Sequence, residues 1–118
     1  MFKKLSLELG GKNPNIIFAD CNYDKMLATT VRSSFANQGQ VCLCGSRIFV
    51  EASIYNRFKK DFVEKVKQLK VGHPSDASTN IGALVSKPHL EKVAEYIEIA
   101  KQENGKVLCG GEIVTVKG

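Results

Sequence analysis

Two residues stand where a catalytic side chain would be useful, and a pair of histidines adds a third candidate. Glu8 lies in Leu7-Glu8-Leu9-Gly10-Gly11-Lys12. A carboxylate at the end of a strand, ahead of two glycines that let backbone or ligand come close, suits a general base. It suits equally an outward-facing polar residue of an alternating strand. Cys42 lies in Asn37-Gln38-Gly39-Gln40-Val41-Cys42-Leu43-Cys44-Gly45-Ser46-Arg47. A cysteine in a glycine-containing turn between helix and strand can be an exposed nucleophile, provided its pKa is lowered or a base stands near. A lone cysteine can also be a small buried hydrophobe. His73 falls in a polar loop and His89 in the first turn of a helix, so both are expected at the surface rather than paired with a thiol.

Two other chemistries are excluded by spacing. Gly11-Lys12 is followed by Asn13, and Ser6 stands where a phosphate-binding loop needs glycine. Cys42-x-Cys44 would need two further zinc ligands, and neither histidine has finger spacing, so no metal site is expected.

The elements that must position these residues follow from periodicity. Leu5, Leu7 and Leu9 alternate with polar residues, a strand pattern closed by Gly10-Gly11. Ile16-Ile17-Phe18 is a second short strand. Asp20 to Asn22 opens a helix whose stripe is Leu27, Val31 and Phe35, and Asn37 to Gln40 breaks it. Arg47 to Glu51 is a strand. Ile54, Phe58, Phe62, Val66 and Leu69 predict a helix over about 53–69. Ser86 caps another helix with Pro88 in its first turn, Leu90, Val93, Ala94 and Ile97 as its buried face and Gly105 as its stop. Lys106 to Cys109 is expected as a last strand. This alternation predicts an α/β fold, a mostly parallel sheet flanked by helices.

Composition narrows the class without naming a function. The 118 residues are 43% hydrophobic and 25% charged, ordinary globular usage that argues against a disordered tail or a fibre. No apolar run approaches a bilayer span, and the short alternation after Met1-Phe2-Lys3-Lys4 is too brief for a signal peptide. Together with four unevenly spaced cysteines, this predicts a cytoplasmic protein without membrane association. The net charge of +5 is densest from Arg57 to Lys70, which is expected to be a solvated helix face rather than a nucleic-acid surface.

Glu8 with its neighbours resembles the glutamate motif of the NAD(P)-dependent aldehyde dehydrogenases, and Phe35 through Arg47 resembles their cysteine motif. The interval from position 8 to position 42 also resembles that family's. Asn13-Pro14-Asn15, Ile81-Gly82-Ala83 and Ser86 extend the likeness over about positions 3–111. Arg32 to Asn37 and Val41 to Cys44 look most like the aminomuconic and hydroxymuconic semialdehyde branch. The resemblance implies that Cys42 attacks an aldehyde, that Glu8 activates water to hydrolyse the thioester, and that Leu9 and Gly10 lie near the nicotinamide of NAD or NADP. It implies structural roles for Gln40 and Arg47.

Members of the family are several times longer. The resemblance therefore implies that about 1–11 is the last strand of a cofactor domain and about 12–118 the first half of a catalytic domain. Most of the cofactor site would lie elsewhere, in a parent enzyme that is a homo-oligomer. The 118 residues by themselves are then expected to make no NADH. Two alternatives remain open at this stage, a cofactor-independent thiol esterase and a non-catalytic partner of a full-length subunit.

Overall fold

In the computed structural model, which describes residues 2–116, regular structure begins with the strand β1 (Pro14–Ile17). Helix α1 (Tyr23–Phe35) follows, opened by Asn22, whose side-chain oxygen accepts from the Lys25 N–H at 3.1 Å. That bond satisfies one of the orphan donors of the first turn. Strand β2 (Arg47–Val50) returns parallel to β1, pairing Pro14 with Arg47 through Ile17 with Val50. A single tight turn, Ala52–Ile54, leads into α2 (Tyr55–Lys67). After a long loop comes α3 (Lys87–Gln102), capped by the Ser86 hydroxyl, which accepts from the His89 N–H at 3.3 Å. The result is a β-α-β unit with two further helices, the α/β class expected.

Both strands alternate, and the inward positions make the core. Ile17 on β1 and Ile48 and Val50 on β2 face α1 and α2, where Leu27 and Phe58 meet them. Met26, Ile54, Phe62, Cys21 and Tyr23 close the edges. Phe58 stacks on Phe62 with ring centres 5.2 Å apart, four residues along one helix face. Asn15 also points inward and donates to the hydroxyl of Thr30, which is buried, at 3.2 Å. Three residues of the predicted stripe, Ile54, Phe58 and Phe62, are thus explained by one packing face.

Three expectations are corrected. Leu5–Leu9 and Lys106–Cys109 form no strand, and Leu5, Leu7 and Leu9 all stand in solvent. Alternation sorts side chains onto faces, but a strand also needs a neighbour for its N–H and C=O groups. Neither run has one among the described residues. At the end of α3 the left-handed residue is Asn104 (φ 66°), not Gly105. Gly105 serves a different need: its N–H donates to Ala100 O at 2.6 Å, and a Cβ there would lie 2.5 Å from the same oxygen.

The outer sheet face is bare. Ile16, Phe18 and Phe49 are each more than half exposed. The accessible surface is 9668 Å², against about 6300 Å² for a self-contained chain of this mass. The radius of gyration is 16.6 Å, against about 13.5 Å for a compact domain of this length. Among the described residues only Ile17, Leu27 and Phe58 form the buried apolar centre, and α3 contributes no buried residue.

Candidate active site

Cys42 sits on the connection from α1 to β2, and the path of that connection is unusual. Asn37, Gln38 and Gly39 are all left-handed, with φ of 49°, 58° and 73°. Glycine adopts this freely and asparagine tolerates it, but glutamine has no local reason to. Its neighbours hold it. With the Gln38 amide assigned in the orientation that satisfies its neighbours, its oxygen accepts from the Gly82 N–H at 3.1 Å and its nitrogen donates to Asn37 O at 2.8 Å. Gln40 adds a second brace, its side-chain oxygen accepting from the Val85 N–H at 3.2 Å. The loop ahead of α3 thus holds the bend, and the bend reverses the chain just before the cysteine.

The chain then turns again across Val41–Cys44, closed by the Cys44 N–H donating to Val41 O at 2.9 Å. Gly45 pins this turn to α1. Its N–H donates to Ser33 O at 3.0 Å, and its carbonyl accepts from the Ser34 hydroxyl at 3.2 Å. The Cys44 thiol donates to Ser34 O at 3.3 Å, which turns Cys44 inward and leaves Cys42 exposed. From the other side, Asn13 Nδ2 donates to Cys42 O at 2.8 Å and to Cys44 O at 3.1 Å. The Arg47 guanidinium donates to Lys12 O. Gln40 and Arg47 therefore hold backbone, the structural roles expected of them.

Glu8, Gly10 and Gly11 form one wall of an open cleft of about 550 Å³. Gln38 through Cys42 form a second wall, and Leu84, His89 and Val93 a third. The structure thus brings Glu8 and Cys42 to one cleft although 34 residues separate them in sequence. Gly10 lines it too; Leu9 does not, and projects into solvent. His89 was expected at the surface, yet its half-buried ring lines this cleft. His73 remains in the loop, its Nδ1 2.7 Å from the Ser75 hydroxyl. Asn13, Leu84 and Val93 were not expected at the site: the sequence offered Asn13 only as part of a family likeness and Val93 only as part of a helix face. No local pattern marks them for the cleft, since what matters is a partner 29 or more residues away.

Among the described residues no three acidic, histidine or cysteine side chains gather as a metal site would require, and all four cysteines are free thiols. No helix of the described residues is long and apolar enough to cross a membrane.

A β-α-β layer that sets an exposed thiol on a braced turn, with a carboxylate lining the same cleft, defines a class, an α/β fold carrying a candidate active site. The chain belongs to the aldehyde dehydrogenase family, which its sequence matches over residues 1–118. It is 62% identical over 108 residues to 2-aminomuconic semialdehyde dehydrogenase of Bos taurus, covering 92% of this chain and 22% of that one. To 2-aminomuconic 6-semialdehyde dehydrogenase of a Pseudomonas species it is 47% identical over 111 residues, covering 94% of this chain and 23% of the other. These relatives agree with the branch that the sequence resembled. Among solved structures, betaine aldehyde dehydrogenase from Staphylococcus aureus in complex with NAD+ superposes with a TM-score of 0.88 at 38% identity, covering 92% of this chain and 21% of that chain. The chain spans about a fifth of the length of the curated relatives it matches.

Proposed function

We propose that these residues form part of an aldehyde dehydrogenase that oxidises an aldehyde to a carboxylic acid with NAD or NADP. The observation that carries this reading is the shared cleft of Glu8 and Cys42. Cys42 is exposed on a braced turn, so its thiolate can reach a carbonyl carbon. Attack puts the former aldehyde on the sulfur as a thiohemiacetal. Among the described residues the Cys42 N–H has no hydrogen-bond partner, so it is free to donate to the developing oxyanion. After oxidation the carbon remains on Cys42 as a thioester. Glu8 then takes a proton from water as the water oxygen attacks that thioester, releasing the acid and freeing the Cys42 sulfur.

The cofactor fit rests on Gly10. A Cβ there would meet no atom within 4 Å, so bare backbone faces the open cleft, as a flat ring lying against it requires. Gly10, with Leu9 beside it, would border the nicotinamide, which when bound supplies the hydride acceptor. The relatives' greater length supports placing most of the cofactor site elsewhere in the polypeptide. On this reading about 1–11 closes the cofactor domain and about 12–118 opens the catalytic domain. The remainder of the enzyme covers the bare sheet face, and the whole works as a cytoplasmic homo-oligomer. The similarity to 2-aminomuconic semialdehyde dehydrogenases supports a semialdehyde substrate.

The test is the full-length enzyme implied by this reading. Cys42→Ser is expected to abolish NADH formation. Glu8→Gln is expected to keep one rapid burst of NADH and lose steady turnover, because acylation precedes the water step. Wild-type turnover in either variant would overturn the assignment.

A further inference from the structure

We infer that Asn13 is a positioning residue for the Cys42 thiol, an inference that rests on the reading of Cys42 as nucleophile. Asn13 commits the two hydrogens of one amide nitrogen to two main-chain oxygens, Cys42 O at 2.8 Å and Cys44 O at 3.1 Å. Cys42 is exposed, so packing does not place its sulfur. Its placement depends on the main chain, and the Cys42 carbonyl is the point at which Asn13 holds it. Fixing that carbonyl sets rotation about the Cys42 Cα–C bond. That in turn fixes how the thiol and the free Cys42 N–H stand relative to the turn.

The clamp is itself rigid. Asn13 O accepts from the Arg47 N–H at 3.2 Å, where β1 and β2 begin to pair. Pro14 follows and restricts Asn13 to extended backbone. Lys12 O is held by the Arg47 guanidinium. Asn13 also lies five residues beyond Glu8 on the same segment. It therefore ties the wall carrying the carboxylate to the turn carrying the thiol. A looser tie would let the two groups drift apart, since the other side-chain hydrogen bond to this segment among the described residues, Arg47 to Lys12 O, comes from β2 rather than from the turn.

The experiment uses the 118-residue chain, its Asn13→Asp variant and Cys42→Ser as the alkylation control. Aspartate keeps the shape of asparagine but removes the donor and faces two carbonyl oxygens with a carboxylate. Two quantities are read, amide hydrogen exchange and the rate of Cys42 alkylation by iodoacetamide at neutral pH, taken relative to Cys21, Cys44 and Cys109 and resolved by residue. In Asn13→Asp the Cys44 and Ser46 amides, which close the turn, are expected to exchange about tenfold faster. The relative rate at Cys42 is expected to move to that of the denatured chain, while the β1–β2 amides keep their protection. Unchanged turn exchange and an unchanged relative rate at Cys42, with the strands protected, would overturn the inference. Should Asn13→Asp lose strand protection, Asn13→Ser, which keeps a donor on a shorter arm, is judged by the same two readouts. A failure of the nucleophile reading shows itself separately: with the strands protected, Cys42 of the unaltered chain would already react at its relative rate in the denatured chain, and the inference would fall with it.

Discussion

The phenolic hydroxyl of Tyr23 donates to Asp61 Oδ2 at 2.7 Å, joining α1 to α2 at the edge of the core. The Arg57 guanidinium lies over the same ring, 3.8 Å from its centre, and 3.7 Å from the Asp61 carboxylate. Partial burial, then the bond to Asp61, pushes the Tyr23 hydroxyl up to about 12 from the ordinary 10.0. The folded chain thus binds this proton more tightly than the unfolded chain does. Its contribution to stability is complete below pH 10 and is lost as pH rises toward 12. Denaturant midpoints are therefore expected to fall through this window in the unaltered chain and to fall less in Tyr23→Phe. Asp61→Asn is expected to bring the Tyr23 phenolate transition down in an absorbance titration. An unmoved transition would show that the contact does not persist in solution.

The core is small enough that one side chain decides it. Phe58 is 5% exposed and clusters with Ile17 and Leu27, the other buried apolar residues described, whereas Phe49 is 54% exposed on the bare face of the sheet. Phe58→Ala is expected to cost about 3–5 kcal/mol, comparable to the whole stability of a marginal domain. It should leave no cooperative urea transition. Phe49→Ala is expected to cost less than about 1 kcal/mol. Equal costs at the two sites would mean that the bare face is covered in solution.

Local signals carried much of this fold into the sequence. The run Asp20 to Asn22 and the cap Ser86 announced the starts of α1 and α3 because a cap needs only its own helix. The stripe from Ile54 to Leu69 predicted α2 to within two residues, since one packing face generates the period. The failures were non-local. Leu5–Leu9 has a strand's alternation but no partner to pair with among the described residues. Of the three left-handed residues at 37–39 only the glycine was conspicuous, because Gln38 is held by Gly82, forty-four residues later. At the site, Glu8 and Cys42 were legible as motif residues, while Asn13 and His89 matter only through what the fold brings beside them.

Gly45 is buried between the cysteine turn and α1, and its lack of a side chain is what lets the two approach. A Cβ at this position would lie 2.7 Å from the Ser33 hydroxyl oxygen but 3.5 Å from Ser33 Cβ and 3.8 Å from Asn15 Cβ. The clash is therefore with one hydroxyl rather than with backbone. Gly45→Ala is expected to cost about 1–2 kcal/mol and to speed exchange of its own amide, which donates to Ser33 O. Ser33→Ala removes the clashing atom and leaves that carbonyl in place. Combined with Gly45→Ala it is expected to restore most of the loss, a coupling of about 1 kcal/mol in a double-mutant cycle. Additive costs would locate the strain in the main chain of the turn instead, and the distance from α1 to Cys42 would then be set by the bend at 37–39 rather than by Gly45.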